Sequence, residues 1–307
     1  MSPTRTRGLV ISSQSGFYTV QSDDGQWVCQ LRGRLKKGRR EGDVVGLGDW
    51  VRITPIGVDR GVIDEIEPRK RMLSRMAPLP SGEYQQIIIA NPDQAVFVFA
   101  CRDPDPRFGM LDRYLVIAEK GEVPALIVAN KTDLVSNSRP GELFGLYSEI
   151  GYPVLYTSIV NGEGLAELKD HLVGKISVLS GPSGVGKSSL LNTMMPGLDL
   201  AHRTVSQATS KGRHTTVAKE MYPLESGGYI ADTPGLKALA LWDMEPDELD
   251  GYFPELRERV AGCQFSDCTH VHEPGCAVQA AVDSGRISRQ RYESYLRMRS
   301  GQEEEYL

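Results

Sequence analysis

Hydrophobic and polar positions follow two different periods along the 307-residue chain. Residues 8–68 alternate with period two: GLVISSQSGFYTVQ, QWVCQLRGRL, DWVRITP and GVIDEIEP are short stretches broken by Asp23-Asp24-Gly25 and by Gly/Pro turns. That spacing predicts half-buried strands, and strands this short and even predict a small β-barrel, with the five-stranded oligonucleotide/oligosaccharide-binding (OB) type as first candidate. From about residue 87 the period changes. IIIANPDQAVFVFAC, PALIVAN, YPVLYTS, the run from Ile176 to Leu179 and GGYIADTPG read as strands, interleaved with helical stretches such as GMLDRYLVIAEKG and GLAELKDHLVG. This alternation predicts a mostly parallel sheet covered by helices on both faces, with ligands at the C-terminal ends of its strands. Helical spacing returns in AVQAAVDSGRISRQRYESYLRMR near the C-terminus, where Arg286, Arg289, Arg291, Arg297 and Arg299 read equally as a solvated helix or as a second RNA-facing surface. The expected chain is multi-domain: a barrel at 1–75, an α/β domain at 76–242 and a helical module at 243–307.

Composition changes this picture little. Forty per cent apolar and 24 per cent charged residues describe an ordinary globular protein. No apolar run approaches the ~20 residues needed to span a bilayer, and MSPTRTRGLV lacks the apolar segment of a signal peptide. A cytoplasmic monomer with no membrane partner is expected, in which five cysteines argue against a disulfide framework. Charge is more informative. The net value of −5 hides fourteen Lys and Arg against nine Asp and Glu in residues 1–75. Arg32, Arg34, Lys36, Lys37, Arg39 and Arg40 crowd between the second and third of these strand stretches, from the end of QWVCQLRGRL toward DWVRITP. In most chains such a run is a solvated loop, but on a small barrel it points to RNA backbone contact. Trp27 and Trp50 lie within strand patterns and are expected in the core.

The chain's chemistry centres on KISVLSGPSGVGKSSLLNTMM, residues 175–195. An apolar strand ends in Gly181, a helix begins at Lys187, and Gly181-x-x-x-x-Gly186-Lys187-Ser188 has the spacing of a phosphate-binding loop. Glycines at 181, 184 and 186 let backbone N–H groups turn toward a polyphosphate where a Cβ would obstruct them, and Ser183, Val185 and Ser189 complete the cradle and the first helical turn. The helix N-terminus adds partial positive charge, Lys187 a full one, and the Ser188 hydroxyl can ligate Mg²⁺. A bound nucleoside triphosphate follows.

Two further strand ends carry related motifs. Asn130-Lys131-Thr132-Asp133 closes PALIVAN; guanine presents two donors that one carboxylate can accept, and adenine does not, so beside a phosphate loop this tetrapeptide favours GTP. Thr157 and Ser158 end the next strand and can offer backbone N–H to the guanine oxygen. Asp232-Thr233-Pro234-Gly235 places Asp232 to hold Mg²⁺ through water and the Gly235 N–H near the γ-phosphate. Lys211-Gly212-Arg213-His214-Thr215-Thr216 has the polar, glycine-containing character of a switch segment, in which one threonine could complete the metal shell. Ordinary GTPases place the phosphate loop ahead of NKxD. Here NKTD comes first, a circular permutation that moves both switch segments to the end of the domain. Next stands Cys263-x₄-Cys268-x-His270-x₅-Cys276, three thiols and an imidazole able to close a tetrahedral zinc shell, with His272 a rival fourth ligand. The segment looks too short and polar to build its own core, which gives a metal staple a structural reason.

The barrel, the permuted NKTD…GPSGVGKSS…GRHTT…DTPG order and the finger together resemble the RsgA (YjeQ) family of small-ribosomal-subunit-dependent GTPases, from about residue 8 to residue 300. The resemblance implies GTP and GDP as ligands, Asp133 on the guanine donors, Asn130 on the acceptor edge and the Lys131 stem over the base. It implies one structural zinc on Cys263, Cys268, His270 and Cys276, which demotes His272. The family's switch histidine falls on His214. The implied partner is the small ribosomal subunit with its rRNA, and the implied role is late subunit maturation by a slow GTPase that the subunit stimulates. Leu236, directly after DTPG, replaces the glutamine that orients water in many GTPases, so His214 or a ribosomal group must serve. The alternative is a nucleotide-gated RNA-binding module with negligible turnover.

Overall fold

The computed structural model describes residues 5–36, 42–79, 82–195, 219–232 and 245–301. Strands β1 (Thr6–Gln14), β2 (Phe17–Ser22), β3 (Gly25–Leu31), β4 (Trp50–Pro55) and β5 (Arg60–Ile66) form a closed barrel. Its pairs are β1–β2, β2–β3, β3–β5, β5–β4 and β4–β1, of which β3–β5 is parallel. The period-two pattern sends Val10, Val20, Cys29, Val51, Ile53 and Ile63 fully inside. Trp27 packs against this core and donates from Nε1 to Ser22 Oγ at 3.0 Å. Trp50 is half-buried, with the Arg7 guanidinium 3.8 Å above its ring.

Between barrel and α/β domain lies an antiparallel hairpin, β6 (Met72–Leu79) and β7 (Gly82–Ala90), which the sequence reading did not anticipate. The expected boundary at 75/76 falls inside β6. The hairpin is tied to the barrel by Asp43, whose carboxylate accepts the Ile87 N–H at 3.0 Å and the Tyr84 hydroxyl at 2.9 Å. The linker before it is held by Arg69, which donates to the fully buried Asp49 at 2.7 and 2.8 Å.

The α/β domain contributes β8 (Gln94–Ala100), β9 (Ala125–Asn130), β10 (Val154–Thr157), β11 (Ile176–Ser180), β12 (Lys219–Pro223) and β13 (Tyr229–Asp232) in the order β10-β9-β8-β11-β13-β12. All neighbours are parallel except β12, which is antiparallel to β13. Every residue of β8 and β11 is buried, as expected for strands covered on both faces. Alternate residues serve the two layers. Phe97, Phe99 and Ile127 pack with Leu111 and Leu115 of α1 (Phe108–Lys120) and with Phe144 and Tyr147 of α2 (Arg139–Ile150). Val96, Val98 and Val128 pack with Leu168 and Leu172 of α3 (Leu165–Leu172) and with Leu190 and Leu191 of α4 (Lys187–Met194).

The two sheets are one. Strand β1 pairs with β4 over Thr6–Leu9, bulges between Val10 and Ser12, and then pairs with β12 at Ser12↔Glu220 and Ser13↔Lys219. A bulge bends and twists a strand, and here it turns β1 out of the barrel onto the edge of the α/β sheet. The result is a continuous eleven-stranded sheet.

The C-terminal module comprises a 3-10 helix (Pro246–Tyr252), α5 (Pro254–Val260), α6 (Ala277–Asp283) and α7 (Arg289–Arg299). Two expectations need correction here. The module does have a core: Leu249, Phe253, Leu256, Val278, Ala281 and Tyr295 cluster with Val116 of α1. A metal held by Cys263, Cys268, His270 and Cys276 would therefore staple a unit that already packs rather than be its sole support. Nor is α7 a uniformly solvated or RNA-facing basic helix. Arg291 is fully buried, 2.7 Å from Asp112 of α1 and 2.7 Å from Glu255 of α5, while Arg299 reaches Asp247 at 2.8 Å. Arg286 and Arg289 do face solvent.

Candidate functional site

Strands β8, β9, β10, β11 and β13 run parallel, so the loops that follow them converge on one end of the sheet. The loop Gly181–Gly186 sits there with the backbone the sequence implied. Gly181 has φ +149 and a Cβ on it would lie 2.0 Å from the Val98 carbonyl oxygen; Gly186 has φ +95 and its Cβ would lie 2.5 Å from Asn130 Nδ2. Neither position admits a side chain. Lys187 folds back over the loop, its Nζ 2.8 Å from the Gly181 carbonyl and 2.5 Å from that of Pro182. This parks the ammonium over the loop's backbone, with Ser188 in the first turn of α4. Ser183, Gly184 and Ser189 are exposed, and Val185 is buried.

The NKTD turn is bolted to that loop. Asn130 is 1 % exposed; its Nδ2 donates to the Val185 carbonyl at 2.8 Å and its Oδ1 accepts the Thr157 hydroxyl at 3.0 Å. One amide N–H is left for a base. Lys131 adopts a left-handed conformation, φ +61, and its ammonium bonds the Asp103 carbonyl, so its stem lies along the site. Asp133 is exposed, and Ser158 Oγ donates to its Oδ1 at 2.5 Å. Sequence reasoning gave Ser158 only a backbone role; the hydroxyl contact orients the carboxylate as well. The Thr132 hydroxyl donates to Glu163, and the Ser158 N–H donates to the Glu163 carbonyl at 3.1 Å. At the neighbouring strand end, Asp232 closes β13 opposite Leu179. The Asp232 side chain, and all of His214, Thr215, Thr216, Gly235 and Leu236, lie outside the described residues.

A second cluster forms in the C-terminal module. Ligand atoms of Cys263, Cys268, His270 and Cys276 lie within 4.8 Å of one another. His270 Nδ1 is 3.5 Å from Cys263 Sγ and 3.4 Å from Cys276 Sγ, while Nε2 faces Asp250 Oδ2 at 3.1 Å. That carboxylate fixes the ring so that Nδ1 points at the thiols, the usual support for a metal-ligating histidine. Burial pushes the Cys268 thiol up to about 12 and raises that of Cys276. Thiolates in this place need a cation beside them, and a zinc-sized donor set is what the residues provide. The fit is good: three thiols, one oriented imidazole and a carboxylate behind it. His272 is exposed and outside the cluster.

Against known proteins, the sequence model described as the RsgA GTPase matches residues 66–242, and that of the RsgA N-terminal domain matches residues 7–63. The chain belongs to the RsgA GTPase family. Members of this family are GTP hydrolases of the phosphate-loop type. Among curated relatives, the small ribosomal subunit biogenesis GTPase RsgA of Gemmatimonas aurantiaca is 46% identical, covering 96% of this chain and 97% of its own. The protein of the same name from Moorella thermoacetica is 43% identical, with 94% of each chain covered. Among solved structures, YjeQ from Thermotoga maritima superposes with a TM-score of 0.78 at 38% identity, covering 97% of this chain and 98% of that one. YloQ, described as a circularly permuted GTPase, gives 0.74 at 31% identity, with 97% and 95% covered. The permuted order read from the motifs is thus a property of the RsgA fold.

The basic run of the barrel is less uniform than its sequence. Arg32 pairs with the buried Asp64, and Arg34 donates to the Asp64 carbonyl at 2.8 Å. Both brace β5, so neither is the free cation that the sequence run suggested. Lys37, Arg39 and Arg40 lie outside the described residues, as does the side chain of Lys36. Cys29 and Cys101 are buried. Asp250 was missed as the partner of His270 because twenty residues separate them and no spacing rule links the two.

Proposed function

We propose that this chain is a GTPase acting in late maturation of the small ribosomal subunit. It hydrolyses GTP slowly alone and faster on the subunit. The observation that carries this reading is the joining of phosphate loop and NKTD turn through Asn130 and Val185 in a family whose named members are small-subunit biogenesis GTPases. Gly181, Ser183, Gly184, Val185, Gly186, Lys187, Ser188 and Ser189 hold the phosphates of GTP or GDP. Asn130, Lys131, Asp133, Thr157 and Ser158 hold the guanine. Ser188 and Asp232 would hold Mg²⁺, which supplies charge neutralisation on the phosphates. Thr215, Thr216 and Gly235 contact the γ-phosphate region, and His214 positions the attacking water that Leu236 cannot. Residues 1–75, 76–242 and 243–307 act as an rRNA-binding barrel, the GTPase engine and a zinc-stapled module of a cytoplasmic monomer. The described residues contain no helix long and apolar enough to cross a membrane.

Turnover tests the reading. With small subunits present, GTP hydrolysis should rise well above the rate of the protein alone. At saturating subunits His214→Ala should lower the stimulated rate by roughly tenfold to a thousandfold with GTP affinity little changed, the range for losing one positioned polar group. A rate indifferent to subunits would sink the function, whereas full stimulation in His214→Ala would reassign only the catalytic group.

Metal content gives an independent check. Freshly purified protein should carry about one zinc per chain. Chelation or Cys268→Ser should loosen the segment 263–276 while leaving nucleotide affinity and the core around Phe253 and Tyr295 largely in place. Zinc-free protein with an unaltered melting profile would refute the assignment.

A further inference from the structure

The two loops that supply the guanine contacts are separate excursions of the chain, and something must hold them in register. The turn at Lys131–Asp133 begins with a non-glycine residue in the left-handed region, φ +61 and ψ +42, which costs energy and persists only where the surroundings enforce it. After the buried Ser158 the loop is exposed from Ile159 through Glu163 and carries Ile159 and Val160 in solvent. An unbraced pair of this kind would present Asp133 in many orientations.

One residue bridges them. The Glu163 carboxylate accepts the hydroxyl of Thr132, the residue between Lys131 and Asp133. Its own carbonyl accepts the Ser158 N–H at 3.1 Å, and its N–H donates to Asn161 Oδ1 at 3.1 Å. Ser158 in turn donates its hydroxyl to Asp133 Oδ1 and accepts the Val160 N–H at 3.1 Å. Side chain and backbone of Glu163 therefore reach both neighbours of the guanine-binding carboxylate, one through Thr132 and one through Ser158. Thr132 is itself buried, its hydroxyl 3.4 Å from the Thr157 carbonyl, so this bridge sits beneath the base-binding edge rather than on it.

We propose that Glu163 is a positioning residue for guanine recognition, a latch that holds Asp133 and Ser158 in the geometry that accepts the base's N1–H and exocyclic amine. The inference rests on the guanine-nucleotide reading above. A carboxylate suits the role because it only accepts hydrogen bonds, and so directs the Thr132 hydroxyl away from the base. Glutamine at 163 retains one accepting oxygen and should keep the latch; alanine removes it and leaves the buried hydroxyl only the long contact to the Thr157 carbonyl at 3.4 Å.

The experiment is an equilibrium titration with GDP and with inosine diphosphate, which lacks the exocyclic amine. Glu163→Ala should weaken GDP by about 10- to 100-fold, the range for losing a hydrogen bond to a charged acceptor, and weaken inosine diphosphate distinctly less. Glu163→Gln should restore GDP to within about threefold of wild type. Thr132→Val should match Glu163→Ala, and the double variant should be no worse than either alone, because both remove one bond. Equal loss for both nucleotides accompanied by a lower melting temperature would mean that Glu163 merely stabilises the fold, and would overturn the proposal. So would wild-type discrimination in Glu163→Ala. Asp133→Asn, titrated in parallel, separates the two levels. If it loses GDP while Glu163→Ala does not, only the latch fails; if neither responds, the guanine assignment fails first.

Discussion

Arg291→Met should destabilise the folded protein by about 3–5 kcal/mol, the cost of leaving a buried charge without its partner. The guanidinium is fully buried and shared between two carboxylates: Nη1 to Asp112 Oδ1 at 2.7 Å, Nε and Nη2 to Glu255 at 2.7 and 3.3 Å. Its carbon lies 4.5 Å from the Phe253 ring centre. Burial works against the charge, but Asp112 and Glu255 outweigh it and hold the Arg291 pKa above the ordinary arginine value. The Tyr147 hydroxyl donates to the same Asp112 oxygen at 2.8 Å. Burial first, and Asp112 second, drive the phenol's pKa well upward, so it stays protonated and donating. Methionine preserves most of the stem's packing and deletes the charge. Asp112 would then face the core with only a phenol for company. Because Asp112 belongs to α1 and Arg291 to α7, the loss falls on the joint between GTPase domain and C-terminal module. Denaturant unfolding should show the module separating early while nucleotide affinity persists. Asp112→Asn combined with Arg291→Met should recover part of the loss, since the fully buried carboxylate is then neutral and only the less deeply buried Glu255 stays charged without its partner. Wild-type stability in the single variant would mean that solvent reaches Asp112 and that the joint is held by Val116 and its apolar neighbours.

Asp133→Asn should lower GTP affinity by roughly 10²- to 10⁴-fold and raise affinity for xanthosine triphosphate. The estimate combines one lost charge-assisted hydrogen bond with one newly opposed pair of donors. Ser158 Oγ holds Asp133 Oδ1, and it can hold an asparagine carbonyl in the same place. The substitution then converts the other oxygen into an NH₂ group, which meets the guanine amine donor to donor. Xanthine carries a carbonyl there and accepts instead. Competition titration with the two nucleotides measures both directions at once. Unchanged GTP affinity would remove Asp133 from the base contact.

The elements that could be read from the sequence were those whose meaning is local. The phosphate loop is eight consecutive residues whose glycines are demanded by backbone approach, so spacing alone identifies it. NKTD and the finger Cys263–Cys276 are equally compact, and the barrel strands announce themselves by alternation. What escaped was partnership at long range. Arg291 and Asp112 are 179 positions apart, so the same helical spacing served for a solvated helix and for a buried clasp. Arg32 and Arg34 looked like free cations because Asp64 stands about thirty residues on. The hairpin β6–β7 was missed because Ile87, Ile88 and Ile89 read as part of the next strand, and β12 because KEMYP is short and its neighbours are set by topology. In each case the local residues were legible and the choice among partners was made by the tertiary fold.

The bulge in β1 has a consequence for where this molecule can be divided. Sequence similarity splits the chain near residue 65, between the stretches matched as N-terminal domain and as GTPase. The hydrogen bonds draw no such line, because Ser12 and Ser13 lie in register with Glu220 and Lys219. A fragment cut at the similarity border would leave β12 as a raw margin, its N–H and C=O groups offered to any extended chain in solution. The barrel serves the engine as a selvedge, the finished border that keeps a fabric from joining its neighbour. Strand β12 follows in sequence the span that carries His214 and pairs with β13, which ends at Asp232, so this border is stitched to the stretch of chain between those two motifs.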